Sequence, residues 1–122
     1  MTLFHPASTE TAEHYVWGKV CDGWRLLDEA DLSVIQERVP PGAAETRHMH
    51  SQARQFFYVL SGTATIEVGE ERIAVAAGQG LHVPSGVAHR FVNGSREDVH
   101  FLVISAPTTR GDRVEVPSAG GN

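Results

Sequence analysis

The chain is poor in the features that would tie it to a nucleic acid, a membrane or an oxidising compartment. Its 122 residues include one cysteine, Cys21, so no intramolecular disulfide can form, which fits a reducing environment. Cys21 itself reads as a small buried apolar side chain. There is no run of Lys or Arg, and the formal net charge is -5, which removes the electrostatic footprint that DNA, RNA or an anionic lipid surface would require. No stretch approaches the ~18 consecutive apolar residues of a membrane-spanning helix. The opening MTLFHPASTETAEHY has neither the charged start nor the apolar centre of a secretion signal. These absences predict a cytoplasmic protein whose partners are small molecules. Sustained helical periodicity, internal repeats and linkers are also missing, so residues 1–122 read as a single domain, with weakly ordered ends at about 1–15 and 117–122.

What remains is a rhythm of short strands and turns. Twelve Gly and six Pro punctuate segments rich in Val, Ile, Phe and Thr. The spacing predicts strands at residues 24–27, 32–39, 55–60, 63–68, 72–76, 81–84, 88–93 and 99–105, with a further piece at 113–116. TATIEV alternates cleanly, setting Ala64, Ile66 and Val68 on one face and Thr63, Thr65 and Glu67 on the other, as a strand over a core does. Several such antiparallel strands must dispose of their edges, and a sandwich or closed barrel does so.

Within this pattern, HMHSQARQ carries the chemistry. Strand side chains alternate, so His48 and His50 project from one face, close enough for two imidazoles to meet a single ion. The turn SQAR reverses the chain, and Gln55 then opens the neighbouring strand with its amide facing the same cavity. An H-x-H pair alone is a weak signal that two surface histidines would also give.

The surroundings sharpen it. Gly42 lies six residues before His48, Gly62 lies seven after Gln55, and GQGLHVPSGVAHRFVN supplies Gly78, Pro84, Gly86, His89 and Asn93. Over about residues 33–105 these positions resemble both signature motifs of the cupin superfamily, in a small single-domain form, with glutamine at Gln55 where the family usually has glutamate. The resemblance implies an all-β fold, a double-stranded β-helix or jelly-roll barrel, holding one divalent metal (Mn, Fe, Ni or Zn). It implies His48, His50 and His89 as ligands, with Gln55 in the fourth position, and Pro84 and Gly86 as the turn that brings His89 into place.

A neutral amide leaves the charge of a divalent ion uncompensated. The ion becomes a stronger Lewis acid and resists oxidation, which favours lyase or isomerase chemistry on a small oxygenated metabolite over oxygen activation. Small cupins that open unsaturated uronates resemble this chain in length and in their three histidines and glutamine, which implies a sugar acid as one substrate. A non-catalytic metabolite sensor and an iron-dependent dioxygenase are the alternatives, and no general base with a recognisable spacing decides between them.

The pocket is expected to include Phe57 and Phe91, which follow Gln55 and His89 on the same strand faces. Gln36 and Arg38 share one face of their strand, and a cavity-facing arginine would suit a substrate carboxylate. Alternation leaves that face open, because Ile35 and Val39 on the other set look more core-like. Trp17 and Trp24 frame a segment that either folds over the barrel mouth or packs outside it. Arg47 is expected in solvent, and His82 and His100 at the surface or an interface. Phe56, Tyr58 and Leu60 form an outward face too apolar for open water, which predicts a homodimer unless a second sheet covers them.

Overall fold

A computed structural model describes residues 2–117, and it contains strands and no helix among them. Eleven strands follow in order: β1 Glu13–Trp17, β2 Cys21–Asp28, β3 Ser33–Val39, β4 His48–Met49, β5 Arg54–Ser61, β6 Thr63–Val68, β7 Glu71–Ala76, β8 Gly80–Val83, β9 His89–Val92, β10 Val99–Ala106 and β11 Val114–Glu115. They form two antiparallel sheets, one ordered β1-β2-β3-β10-β5-β8 and the other β11-β4-β9-β6-β7. This is the expected all-β jelly roll. No helix among the described residues is long and apolar enough to cross a membrane.

Period-two alternation builds the interior. In β10, Val99, Phe101, Val103 and Ser105 are buried while His100, Leu102 and Ile104 are only half-buried. β5 does the same with Gln55, Phe57 and Val59 inward and Phe56, Tyr58 and Leu60 outward. The inward sets of the two sheets meet in a core containing Val39, Phe57, Val59, Ile66, Phe91 and Phe101. Phe91 of one sheet stacks on Phe101 of the other, with ring centroids 3.9 Å apart. The outward trio stays uncovered by either sheet, with Phe56 at 40% and Leu60 at 42% exposure.

Two placements differ from the sequence reading. β1 begins at Glu13, inside the segment expected to be weakly ordered, because its backbone pairs with β2 from Glu13↔Arg25 to Trp17↔Cys21. Apart from Pro117, the expected C-terminal tail lies outside the described residues. Gln55 does not open a strand beside His48. β5 runs in the opposite sheet, so Gln55 approaches the histidines from across the barrel. Cys21 is buried, as expected.

The β5–β6 turn carries the chain from one sheet to the other in a single step, and Gly62 makes that possible. Its φ is +81°, and a Cβ there would lie 2.6 Å from the carbonyl oxygen of Asp98. Gly62→Ala is therefore expected to destabilise the fold by at least ~1–3 kcal/mol, the usual cost of a strained backbone residue. Urea unfolding measures this, and a midpoint equal to the wild type would contradict the crowding.

Candidate metal centre

The strand register brings the first two histidines together. His48 of β4 and His89 of β9 are direct cross-strand partners, and their ring centroids lie 4.5 Å apart. His50 follows two residues after His48, on the same face, with its ring 4.9 Å from His48 and 5.7 Å from His89. The three can each offer one ring nitrogen, all within 4.8 Å of one another, and they form a group that can hold a metal ion.

The backbone selects which nitrogen is offered. Nδ1 of His48 lies 2.8 Å from the Thr46 carbonyl, Nδ1 of His89 lies 2.9 Å from that of Val87, and Nδ1 of His50 meets that of Asp112. A carbonyl can only accept, so each Nδ1 carries the proton and each Nε2 keeps its lone pair for a ligand. Burial disfavours a second proton: it pushes His48 down to about 3 and His89 down to about 4, and it lowers His50 as well. The set is neutral at physiological pH, as metal ligation requires.

Two further observations fit a bound cation. Nε2 of His50 is buried with no hydrogen-bond partner. Nε2 of His89 lies 3.0 Å from Oε1 of Gln55, so two lone pairs face each other, a repulsion that a nearby cation would relieve. Turning the amide over would instead make Gln55 the donor to His89. Gln55 is held by its amide nitrogen, which donates to Oγ of Ser105 at 3.1 Å.

Asp112 reaches this site from the far end of the chain. Its Oδ1 accepts from the backbone N–H of Ser51 at 2.8 Å and the hydroxyl of Ser51 at 2.7 Å. Its Oδ2 accepts from the backbone N–H of Gln52 and of Ala53, each at 2.9 Å. These bonds hold its carboxyl well below the usual range, with the Ala53 amide the largest cause. The same residue's carbonyl orients His50, so one residue fixes both the loop after this ligand and the ligand's tautomer.

His48, His50 and Gln55 open into a cavity of about 280 Å³, whose lining also includes Tyr15, Trp17, Glu37, Glu45, Phe57 and Arg113. Of the residues expected in the pocket, Phe57 lines it. Phe91 lies beneath, fully buried in the core. Gln36 and Arg38 do not line it: β3 presents Ile35 and Glu37 to the cavity, and Arg38 turns outward to pair with Asp22 at 2.7 Å. Arg47 is half-buried, bonded to the Gly69 carbonyl at 3.0 Å, and is not the solvated residue expected. Trp17 joins the cavity wall, whereas Trp24 stands against His14, ring centroids 5.3 Å apart.

Sequence reasoning missed the acids. Burial, reinforced by Glu45, raises the Glu37 carboxyl to about 8, although it accepts from the Tyr15 hydroxyl at 3.1 Å. Burial likewise raises Glu45 to about 7, against the backbone N–H of Phe91 that donates to it at 3.0 Å. For Glu37 a signal existed, since it shares a strand face with Ile35 and Val39. Glu45 lies outside any strand and gave none.

Two sheets closed over a core, with a group of three histidines that could hold a metal ion at the edge of a cavity, define a jelly-roll β-barrel protein. The chain belongs to the cupin family: the model described as "Cupin domain" matches residues 35–105. An uncharacterised protein of Streptomyces coelicolor is 39% identical over 83 residues, which cover 68% of this chain and 77% of that one. Xanthan biosynthesis protein XanB of Xanthomonas campestris is 29% identical over 98 residues, which cover 77% of this chain but only 21% of XanB. Among solved structures, the polyketide cyclase RemF of Streptomyces resistomycificus superposes with a TM-score of 0.81 at 19% identity, covering 98% of this chain and 89% of RemF. That likeness concerns the fold.

The raised acids have a stability consequence. Between an ordinary value of 4.5 and about 8, the unfolded chain releases the Glu37 proton and the folded chain keeps it, so this residue costs stability as pH rises. The histidines act oppositely, costing stability as pH falls below the ordinary 6.5, and they drop out above it. In chelator-treated protein, Glu37→Gln is therefore expected to melt progressively higher than wild type as pH rises from 6.5 to 8. Calorimetry at matched pH checks this, and a constant difference would contradict the protonated acid.

Proposed function

We propose that this cupin is a non-redox metalloenzyme of lyase or isomerase type acting on a small oxygenated, sugar-acid-like metabolite. His48, His50 and His89, with Gln55 in fourth place, hold one divalent ion, Mn, Fe, Ni or Zn. The observation that carries the reading is the sharing of one cavity by two imidazoles of the three-histidine group, His48 and His50, and by two carboxyls poised to exchange protons near neutral pH. A bound divalent ion supplies Lewis acidity toward a substrate oxygen. Glu37 and Glu45 give or take the protons that elimination or isomerisation moves, and the Tyr15 hydroxyl steadies Glu37. Phe57 and the core beneath it keep that exchange away from bulk water. The neutral Gln55 leaves the ion's charge uncompensated by the protein, which favours this chemistry over oxygen activation.

A homodimer accompanies this reading. The outward face of Phe56, Tyr58 and Leu60 is an apolar surface of the kind that a second copy covers. Sedimentation of the wild type against Tyr58→Glu tests it, and a monomeric wild type would end it.

For the site, elemental analysis after metal loading is expected to find about one ion per wild-type chain and little in His48→Ala or His89→Ala. Gln55→Glu is expected to bind the ion more tightly in chelator competition, because a carboxylate oxygen is the stronger ligand. Equal metal content in all four proteins would reject the centre. With the loaded protein, an NMR screen of sugar acids and keto acids is expected to find turnover of at least one. Saturable binding without turnover would make the protein a binder.

A further inference from the structure

The chain as a whole is acidic, yet its cavity gathers arginines beside Glu37 and Glu45. Arg25, Arg110 and Arg113 all line it. Two of them are engaged: Nε of Arg25 lies 3.1 Å from Oε1 of Glu13, and Nη2 of Arg110 lies 2.6 Å from Oδ2 of Asp28. Arg113 has no carboxylate partner among the described residues. Its Nη2 donates at 3.4 Å to the Thr46 carbonyl, the acceptor that also takes the His48 Nδ1 proton. That long contact places the exposed Arg113 guanidinium near His48, with donors left over for a ligand.

Trp17 offers a second unmet donor in the same wall. Its indole N–H is buried and has no partner, and an indole can only donate. Burial weakens the claim of the two acids on these donors: raised to about 8 and about 7, Glu37 is mostly protonated and Glu45 about half protonated at neutral pH. A ligand that completes the cavity therefore brings acceptor oxygens and negative charge.

We propose that the cavity is a receptor for a small carboxylate, with the Arg113 guanidinium as its anchor and the Trp17 indole N–H as a second donor. Arg113 takes the role that sequence reasoning offered to Arg38. One planar guanidinium can meet either a carboxylate or a phosphate in two parallel bonds; the carboxylate is favoured because the helix N-termini that commonly bind phosphate are absent among the described residues. A cavity of about 280 Å³ suits an acid of metabolite size. The inference rests on the small-molecule reading of the cavity but needs no metal.

Calorimetric titration of chelator-stripped and Zn-loaded protein with glycolate, L-malate and 2-oxoglutarate tests it, with glycolamide and inorganic phosphate as comparisons. At least one acid is expected to bind both forms, glycolamide to bind neither, and phosphate to bind more weakly than the best acid. Arg113→Gln is expected to weaken the acid at least tenfold at unchanged metal content. Arg113→Lys should recover part of that loss, and Trp17→Phe should weaken binding more modestly. An Arg113→Gln protein that binds like wild type overturns the proposal, as does glycolamide or phosphate matching the best acid, or a wild type blind to all three acids. Arg113-dependent binding in a protein that takes up no metal would instead sink the metalloenzyme reading alone.

Discussion

Three buried imidazoles, each forced to keep its proton on Nδ1, are the constraint around which this barrel is organised. Their free lone pairs converge at a buried point, where repulsion between them is weakly screened. The fold tolerates this because every Nδ1 has a carbonyl to donate to, from Thr46, Val87 and Asp112. Those carbonyls all sit just before strands of one sheet, β4, β9 and β11. The β4–β9 ladder sets His48 opposite His89, while β5 brings Gln55 in from the other side.

Burial does different work on the acids and the bases of the same cavity. It removes protons from the histidines and retains them on Glu37 and Glu45, so both classes approach neutrality. A cavity of neutral acids and neutral bases is receptive to charge brought in from outside. In the proposed reading, the arginines at its wall set the sign of an organic ligand, while the imidazoles set the sign of an inorganic one.

The barrel was largely legible because its strands alternate. TATIEV, QFFYVL and VHFLVIS each declare an inner and an outer set, and β6, β5 and β10 follow them. His48, His50 and His89 were legible because strand geometry turns a spacing of two into a shared face. β1 was not, since EHYVW carries two charged or polar residues at its start and is held by pairing with β2 rather than by a buried stripe. The inner face of β3 was left open between Ile35 with Glu37 and Gln36 with Arg38. Hydropathy does not anticipate a glutamate turned inward, because only the cavity and the Tyr15 hydroxyl make such a placement tolerable. Arg113 and Asp112 were invisible for another reason: more than sixty residues separate them from the histidines they serve, and no local pattern spans such a gap.

The clasp made by Asp112 ties two distant stretches of the chain to one point. Its carboxylate gathers Ser51, Gln52 and Ala53, while its carbonyl holds the ring of His50, across a separation of about sixty positions. Just beyond it, Val114 and Glu115 of β11 pair with Met49 and His48 of β4. Backbone pairing and side-chain clasp thus grip the same short segment from both sides, and loosening either one frees His48 and His50 together.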